Sequence, residues 1–302
     1  MRADVQAWLD ELGIPPTAPV VVVHDEPWSQ VLRVPTAGGD LFLKQCAPVQ
    51  AFEVPLTAAL AARWPDRLPE VVATDERRAW LLLRDGGVRL REHGLEPFPE
   101  ALRLYAELQV AETAHVDEFL HFGVPDVRLP VLVAAYGPFF ERDQGVEPGL
   151  QDELRAFAPR YLELCDELAA FGLPDSIQHD DLHDGNVFVR EGRVAILDWG
   201  DSSVAHPLFA ARKALRVARA AHVDPVLLRD AFLEPWTALA PRSRLLAAFE
   251  LAETVGAFAY SLQWERQLDA MPAEARPAHA DYMAQQLRHL SARLRGKEPG
   301  AA

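Results

Sequence analysis

Residues 179 to 201 read HDDLHDGNVFVREGRVAILDWGD, and the interpretation of this stretch decides the fold. Its first eight residues carry Asp180, Asp181, Asp184 and Asn186 around two histidines, His179 and His183. Two short apolar runs follow, 187 to 189 and 194 to 197, separated by a turn at Arg190 to Arg193, which is the pattern of a β-hairpin. A hairpin brings its two ends together. Asn186 and Asp198 are therefore expected side by side, with oxygen donors suited to one shared metal ion.

Two chemistries compete for these residues. A metal-dependent hydrolase would use His179, Asp181 and His183 as alternate ligands, which requires an extended strand. The Asp184-Gly185-Asn186 turn interrupts such a strand, and no second His-rich or Glu-rich segment completes a catalytic zinc site. Phosphoryl transfer needs a positioned hydroxyl, metal ions on the nucleotide phosphates and a lysine for charge. The pattern His-x-Asp-Leu-x-x-x-Asn is filled by His179, Asp181, Leu182 and Asn186, and Asp198-Trp199-Gly200 follows where a metal-binding Asp-x-Gly is expected.

Upstream, residues 20 to 45 show β-branched and alternating runs around a Gly38-Gly39 turn, an antiparallel meander. Alternation on LFLKQC, residues 41 to 46, puts Phe42 and Lys44 on one face and Leu41 and Leu43 on the other. Only three of the 30 basic residues are lysines (Lys44, Lys213 and Lys297), so a retained lysine draws notice. A helix is expected from FEVPLTAALAAR, stopped by Pro65. Two strands around Asp75 to Arg78 follow, ended by Gly86-Gly87. Beyond residue 90 the period changes to that of helices, near 99 to 116, 151 to 171, 207 to 221, 225 to 232, 241 to 266 and 277 to 295. The expected fold class is α+β with two lobes: residues 1–86, an antiparallel sheet plus a helix, and residues 87–302, a larger helical lobe.

The motifs HDDLHDGNVFV and AILDWGD resemble the catalytic loop and metal-binding segment of the aminoglycoside phosphotransferase and choline kinase-like group of small-molecule kinases, which share a two-lobed protein-kinase-like fold. The resemblance implies that Asp181 orients the acceptor hydroxyl or takes its proton. It implies that Asn186 and Asp198 hold Mg²⁺ against the phosphates of ATP or GTP, and that Lys44 reaches the α- and β-phosphates, paired with Glu53. The linker at Leu83 to Gly87, with Asp85, would face the adenine. His179 and His183 would support the loop, and Asp201 would stand behind the metal or meet a substrate amine.

Acceptor walls are expected from Tyr260, Trp264 and Glu265, with Asp281 and Tyr282 on the last helix. Acidic and aromatic residues together suit an amino sugar, an amino alcohol or another small hydroxylated, cationic substrate. Three departures stand out: residues 24 to 32 replace the Gly-rich loop without a glycine, Asp180 replaces a small residue, and Ala210 replaces an Asp. A catalytically silent kinase-like binding protein is the alternative.

Composition agrees with a globular enzyme: 302 residues, 49% hydrophobic and 25% charged. A net charge of −15 opposes nucleic-acid binding. No uncharged apolar stretch reaches the ~20 residues of a membrane span, and the acidic amino terminus lacks the pattern of a secretory signal. A cytoplasmic location is the expectation. Cys46 and Cys165 read as core thiols rather than a disulfide or metal pair.

Overall fold

The computed structural model describes residues 3–296. Helix α1 (Ala3–Glu11) buries Val5, Trp8 and Leu9, one helical stripe, against the outer face of a five-stranded antiparallel sheet. The strands are β1 (Val21–Glu26), β2 (Ser29–Thr36) and β3 (Gly39–Cys46), then, after helix α2 (Glu53–Arg63), β4 (Val71–Asp75) and β5 (Trp80–Arg84). Their order is β1-β2-β3-β5-β4. Leu41 and Leu43 join the core beneath α1, while Phe42 and Lys44 face the opposite side, where α2 packs, as alternation requires.

After β5 the chain turns at Asp85, whose Oδ1 accepts from the Gly87 amide at 3.0 Å. Strand β6 (Val88–Arg89) then pairs with a hairpin in the second lobe. That lobe continues through α3 (Leu90–His93), α4 (Phe98–Glu112), α5 (Val116–His121), α6 (Leu129–Glu141), α7 (Pro148–Ala156) and α8 (Ala158–Ala169). Four short strands follow: β7 (Ser176–Gln178), β8 (Val187–Arg190), β9 (Arg193–Ile196) and β10 (Ser203–Ala205). Helices α9 (Arg212–Ala220), α10 (Pro225–Leu233), α11 (Arg242–Ala270) and α12 (Arg276–Leu294) close the chain. The result is a two-lobed α+β fold.

Several boundaries differ from expectation. The helix expected over 151 to 171 is two helices meeting at Phe157, because Pro159 has no amide hydrogen to continue the ladder. The helix expected from 207 starts at Arg212, after a short 3₁₀ turn over 207 to 209. Helix α6 was not anticipated; it buries only Leu132, Tyr136, Phe139 and Phe140, but its other face is also apolar and hides the stripe. Helix α11 is long and apolar enough to cross a membrane by length and composition, yet most of that stretch is buried in the fold. The frayed tail expected after Arg295 lies, from residue 297 on, outside the described residues.

Candidate functional site

Two pairings bring the quoted stretch together. At one end β7 pairs with β10, Gln178 opposite Ser203; at the other the β8–β9 hairpin closes, and the Leu197 amide donates to the Asn186 carbonyl at 2.9 Å. Residues 179 to 186 and 197 to 202 thus lie side by side. Both face a cavity of about 750 Å³ between the lobes.

Asp181 lines this cavity and is surrounded by donors. Its Oδ2 accepts from Asn186 Nδ2 at 2.9 Å and lies 3.2 Å from His183 Nε2, while Lys213 forms an ion pair with Oδ1. His183 Nδ1 accepts from the Gly185 amide at 2.9 Å and from Arg91 at 3.0 Å, so its proton sits on Nε2, facing Asp181. Burial and the Arg91 charge lower the pKa of His183 and keep it neutral. Gly185 is needed here: a Cβ would stand 2.6 Å from the His183 ring and closer still to Arg91.

His179 is fully buried, packs 4.8 Å from the Trp199 ring and donates from Nε2 to the Leu197 carbonyl at 2.8 Å. Burial pushes its pKa down to about 4. His179 Nε2 is spent on the Leu197 carbonyl and the two ring nitrogens of His183 face Gly185 and Asp181, and no metal-ligating cluster forms among the described residues.

Asp198 adopts a left-handed backbone, φ 69°, and half of its side chain is open to the cavity. Lys44 Nζ lies 2.5 Å from Asp198 Oδ1 and 2.6 Å from Glu53 Oε2, the partner that the resemblance implies. Burial opposes the charge on Lys44, but Asp198 and Glu53 outweigh it and hold its pKa well above the ordinary value. The same ammonium outweighs burial at Asp198 and keeps that carboxyl below its ordinary range. Gly200 lets this segment pass: a Cβ there would sit 2.8 Å from Glu53 Oε2.

Asp201 stands behind Asp198, accepting from Gln50 Nε2 at 2.9 Å and Gln267 Nε2 at 3.0 Å. Burial, reinforced by Asp198, pushes its carboxyl up to about 6. Asp180 has the same fate for a different purpose. Its φ of 58° is the left-handed region, where Asp is tolerated better than most residues other than Gly. Its Oδ2 accepts from Ser203 Oγ and from Gln263 Nε2 at 2.6 Å, tying the loop to β10 and α11, and burial raises its pKa to about 6. Ala210 is packed in the core and supplies no carboxylate. Asp180 and Gln109, whose Nε2 donates to the Ile177 carbonyl at 2.8 Å, anchor the segment instead.

Tyr260, Trp264 and Tyr282 line the cavity, with Trp264 and Tyr282 stacked at 4.7 Å. Glu265 does not: it pairs with Arg142 at 2.7 Å, because neighbouring helical residues point about 100° apart. Asp281 is likewise outside the lining, whereas Asp85 is part of it. The lining residues not singled out from the sequence include Gln50, Arg91, Lys213, Gln263, Gln267 and Trp28. Trp28, in the glycine-free turn between β1 and β2, reaches across to Trp264 (6.3 Å) and His279 (5.2 Å). The scarcity of lysine was the one available signal, for Lys213.

Comparison with known proteins agrees with the two-lobed fold. A choline/ethanolamine kinase family protein from Mesorhizobium loti is 17% identical, with a TM-score of 0.62 over 97% of this chain and 99% of that one. The GDP complex of aminoglycoside 2'-phosphotransferase-IIIa is 13% identical, with a TM-score of 0.62 over 98% of this chain and 99% of that one. An amicoumacin kinase bound to AMP-PNP, Ca²⁺ and its ligand is 12% identical, with a TM-score of 0.55 over 96% of this chain and 93% of that one. A search of curated protein sequences returns no match. The family model described as "Phosphotransferase enzyme family" matches residues 17–219, more than half of the sequence, and with the site just described the chain belongs to that family.

Proposed function

We propose that the protein transfers the γ-phosphoryl group of ATP or GTP to a hydroxyl of a small molecule, with Mg²⁺. The observation that carries this reading is the convergence of Lys44, Glu53, Asp181, Asn186 and Asp198 on one cavity between the lobes. Phosphoryl transfer is mostly positioning and charge stabilisation, so this set covers its needs.

The donors fit magnesium. Asn186 spends its amide nitrogen on Asp181, which turns the amide oxygen away from that carboxylate, and the Asp198 carboxylate is open to the cavity. Magnesium prefers one or two such oxygens plus phosphates over an all-protein cage. Among the described residues no group of three or more His, Cys, Asp or Glu forms such a cage. Bound magnesium would supply neutralisation of the phosphate charge. Lys44, steadied by Glu53, holds the α- and β-phosphates, and the turn at Asp85 to Gly87 meets the base. Asp181 orients the acceptor hydroxyl and takes its proton. Tyr260, Trp264 and Tyr282 offer aromatic faces to the acceptor, which suits an amino sugar or amino alcohol.

A silent nucleotide-binding protein is the second reading, favoured by the glycine-free turn that carries Trp28. Calorimetric titration with Mg-nucleotide, followed by turnover of wild type and Asp181→Asn against pooled hydroxylated amines, sugars and nucleosides, separates the two. An added phosphate on one acceptor, detected by mass spectrometry and absent with Asp181→Asn, supports transfer. Nucleotide binding without turnover by wild type on any member of the panel supports the silent protein.

A further inference from the structure

Lys213 has no part in the roles above, yet its ammonium is the cation that touches Asp181. It is one of only three lysines in the chain. It is the second residue of α9. A cation at a helix amino terminus opposes the macrodipole, so neither helix stability nor the arginine habit of this protein accounts for it. Its side chain is 24% exposed and lines the cavity. Burial, helped by Arg216 and Arg91, lowers its pKa to about 7.

The geometry at Asp181 is asymmetric. His183 and Asn186 occupy Oδ2, and Lys213 takes Oδ1. An ammonium has three N–H donors, so a lysine that spends one on Asp181 keeps two for another anion in the same cavity. The arrangement differs from that of Lys44, which already pairs with two carboxylates, Glu53 and Asp198, on the opposite wall.

We propose that Lys213 is a catalytic residue that spans Asp181 and the transferring phosphoryl group. The inference rests on the phosphotransferase reading above. As the acceptor oxygen bonds to the γ-phosphorus, the bond from that phosphorus to the β–γ bridging oxygen breaks. The electron pair leaves with the nucleoside diphosphate, and the hydroxyl proton passes to Asp181. Lys213 keeps its own proton and holds a non-bridging phosphoryl oxygen throughout. A fixed cation aimed at the transferring group acts where charge is redistributed. The competing account is a tie that merely fastens α9 to the loop.

The two accounts separate by titrating the full chain with magnesium and either a non-hydrolysable nucleoside triphosphate analogue or the matching diphosphate. The adenosine and guanosine forms are both used. Lys213→Met is expected to cut the preference for triphosphate over diphosphate by about tenfold while diphosphate affinity changes less than about twofold. Lys213→Arg restores most of the preference, and phosphate release to water from the Mg-triphosphate falls by about 100-fold in Lys213→Met. Unchanged diphosphate affinity also shows that the variant is folded. A preference kept within about twofold in Lys213→Met, with both nucleotides weakened alike, overturns the proposal in favour of the tie. If wild type binds neither nucleotide, the phosphotransferase reading itself falls; if it binds both, only the role of Lys213 is at stake.

Discussion

Gln263 Nε2 donates to Asp180 Oδ2 at 2.6 Å, fastening the residue that precedes Asp181 to the longest helix of the second lobe. The same carboxylate takes the Ser203 hydroxyl, so one buried side chain joins the loop, β10 and α11. Asp180→Ala removes the acceptor from both donors. Its expected cost is about 2 kcal/mol, the range for leaving buried polar groups unpaired. Urea unfolding of wild type and variant measures it. A loss under about 0.5 kcal/mol would mean the tie is dispensable.

Asp181→Asn keeps the shape of the side chain and removes its charge. General-base contributions run from about 10² to 10⁴ in rate, so kcat should fall by at least about 100-fold. Nucleotide affinity should stay within a few-fold, because the role proposed for Asp181 lies on the acceptor side. Steady-state kinetics with whichever acceptor the panel yields, alongside nucleotide titration, reads both quantities.

Asp198→Ala should abolish the magnesium dependence of nucleotide binding. Titrations with magnesium and with a chelator, in wild type and variant, test this. Equal magnesium dependence in the two proteins would place the metal on other residues. Glu53→Gln is milder: Lys44 keeps its contact with Asp198, and nucleotide affinity should drop by about tenfold.

His206 supplies a pH test away from the cavity. It is buried, its Nδ1 accepts from the Leu208 amide at 3.4 Å, and burial lowers its pKa from 6.5 to about 3. A histidine whose folded pKa is depressed binds fewer protons folded than unfolded between those two values. Its contribution is present above the unfolded value and is lost as pH falls toward the folded one. Between pH 7 and pH 4, wild type should lose about 3 kcal/mol more than His206→Asn, which keeps an acceptor for the amide but does not titrate. Denaturant unfolding at both pH values checks the difference, and parallel losses would show that His206 is not buried neutral.

Legibility in the sequence followed the range of the interactions. The catalytic loop and Asp198 were readable because a hairpin encodes their proximity locally, and Lys44 because strand alternation places it. Glu53 was readable only through the resemblance, since a glutamate at a helix start is otherwise ordinary. Glu265 was misassigned because adjacency to Trp264 says nothing about which way a helical side chain points; Gln263 and Gln267, four residues apart, share the face that lines the cavity. Strands β7 and β10 are three residues each, too short to show a period, although their pairing sets the loop. Asp180 was unexplained for the same reason: its partners Ser203 and Gln263 come from other elements.

The reach of Trp28 across the cleft also gives the protein a built-in optical gauge. Its indole lies in contact range of Trp264 and His279, on elements of the other lobe. Any separation of the lobes changes the surroundings of that fluorophore before it changes those of buried Trp199 or Trp236. Emission compared with that of Trp28→Phe therefore reports how far the cleft stands open in solution, with no dye attached.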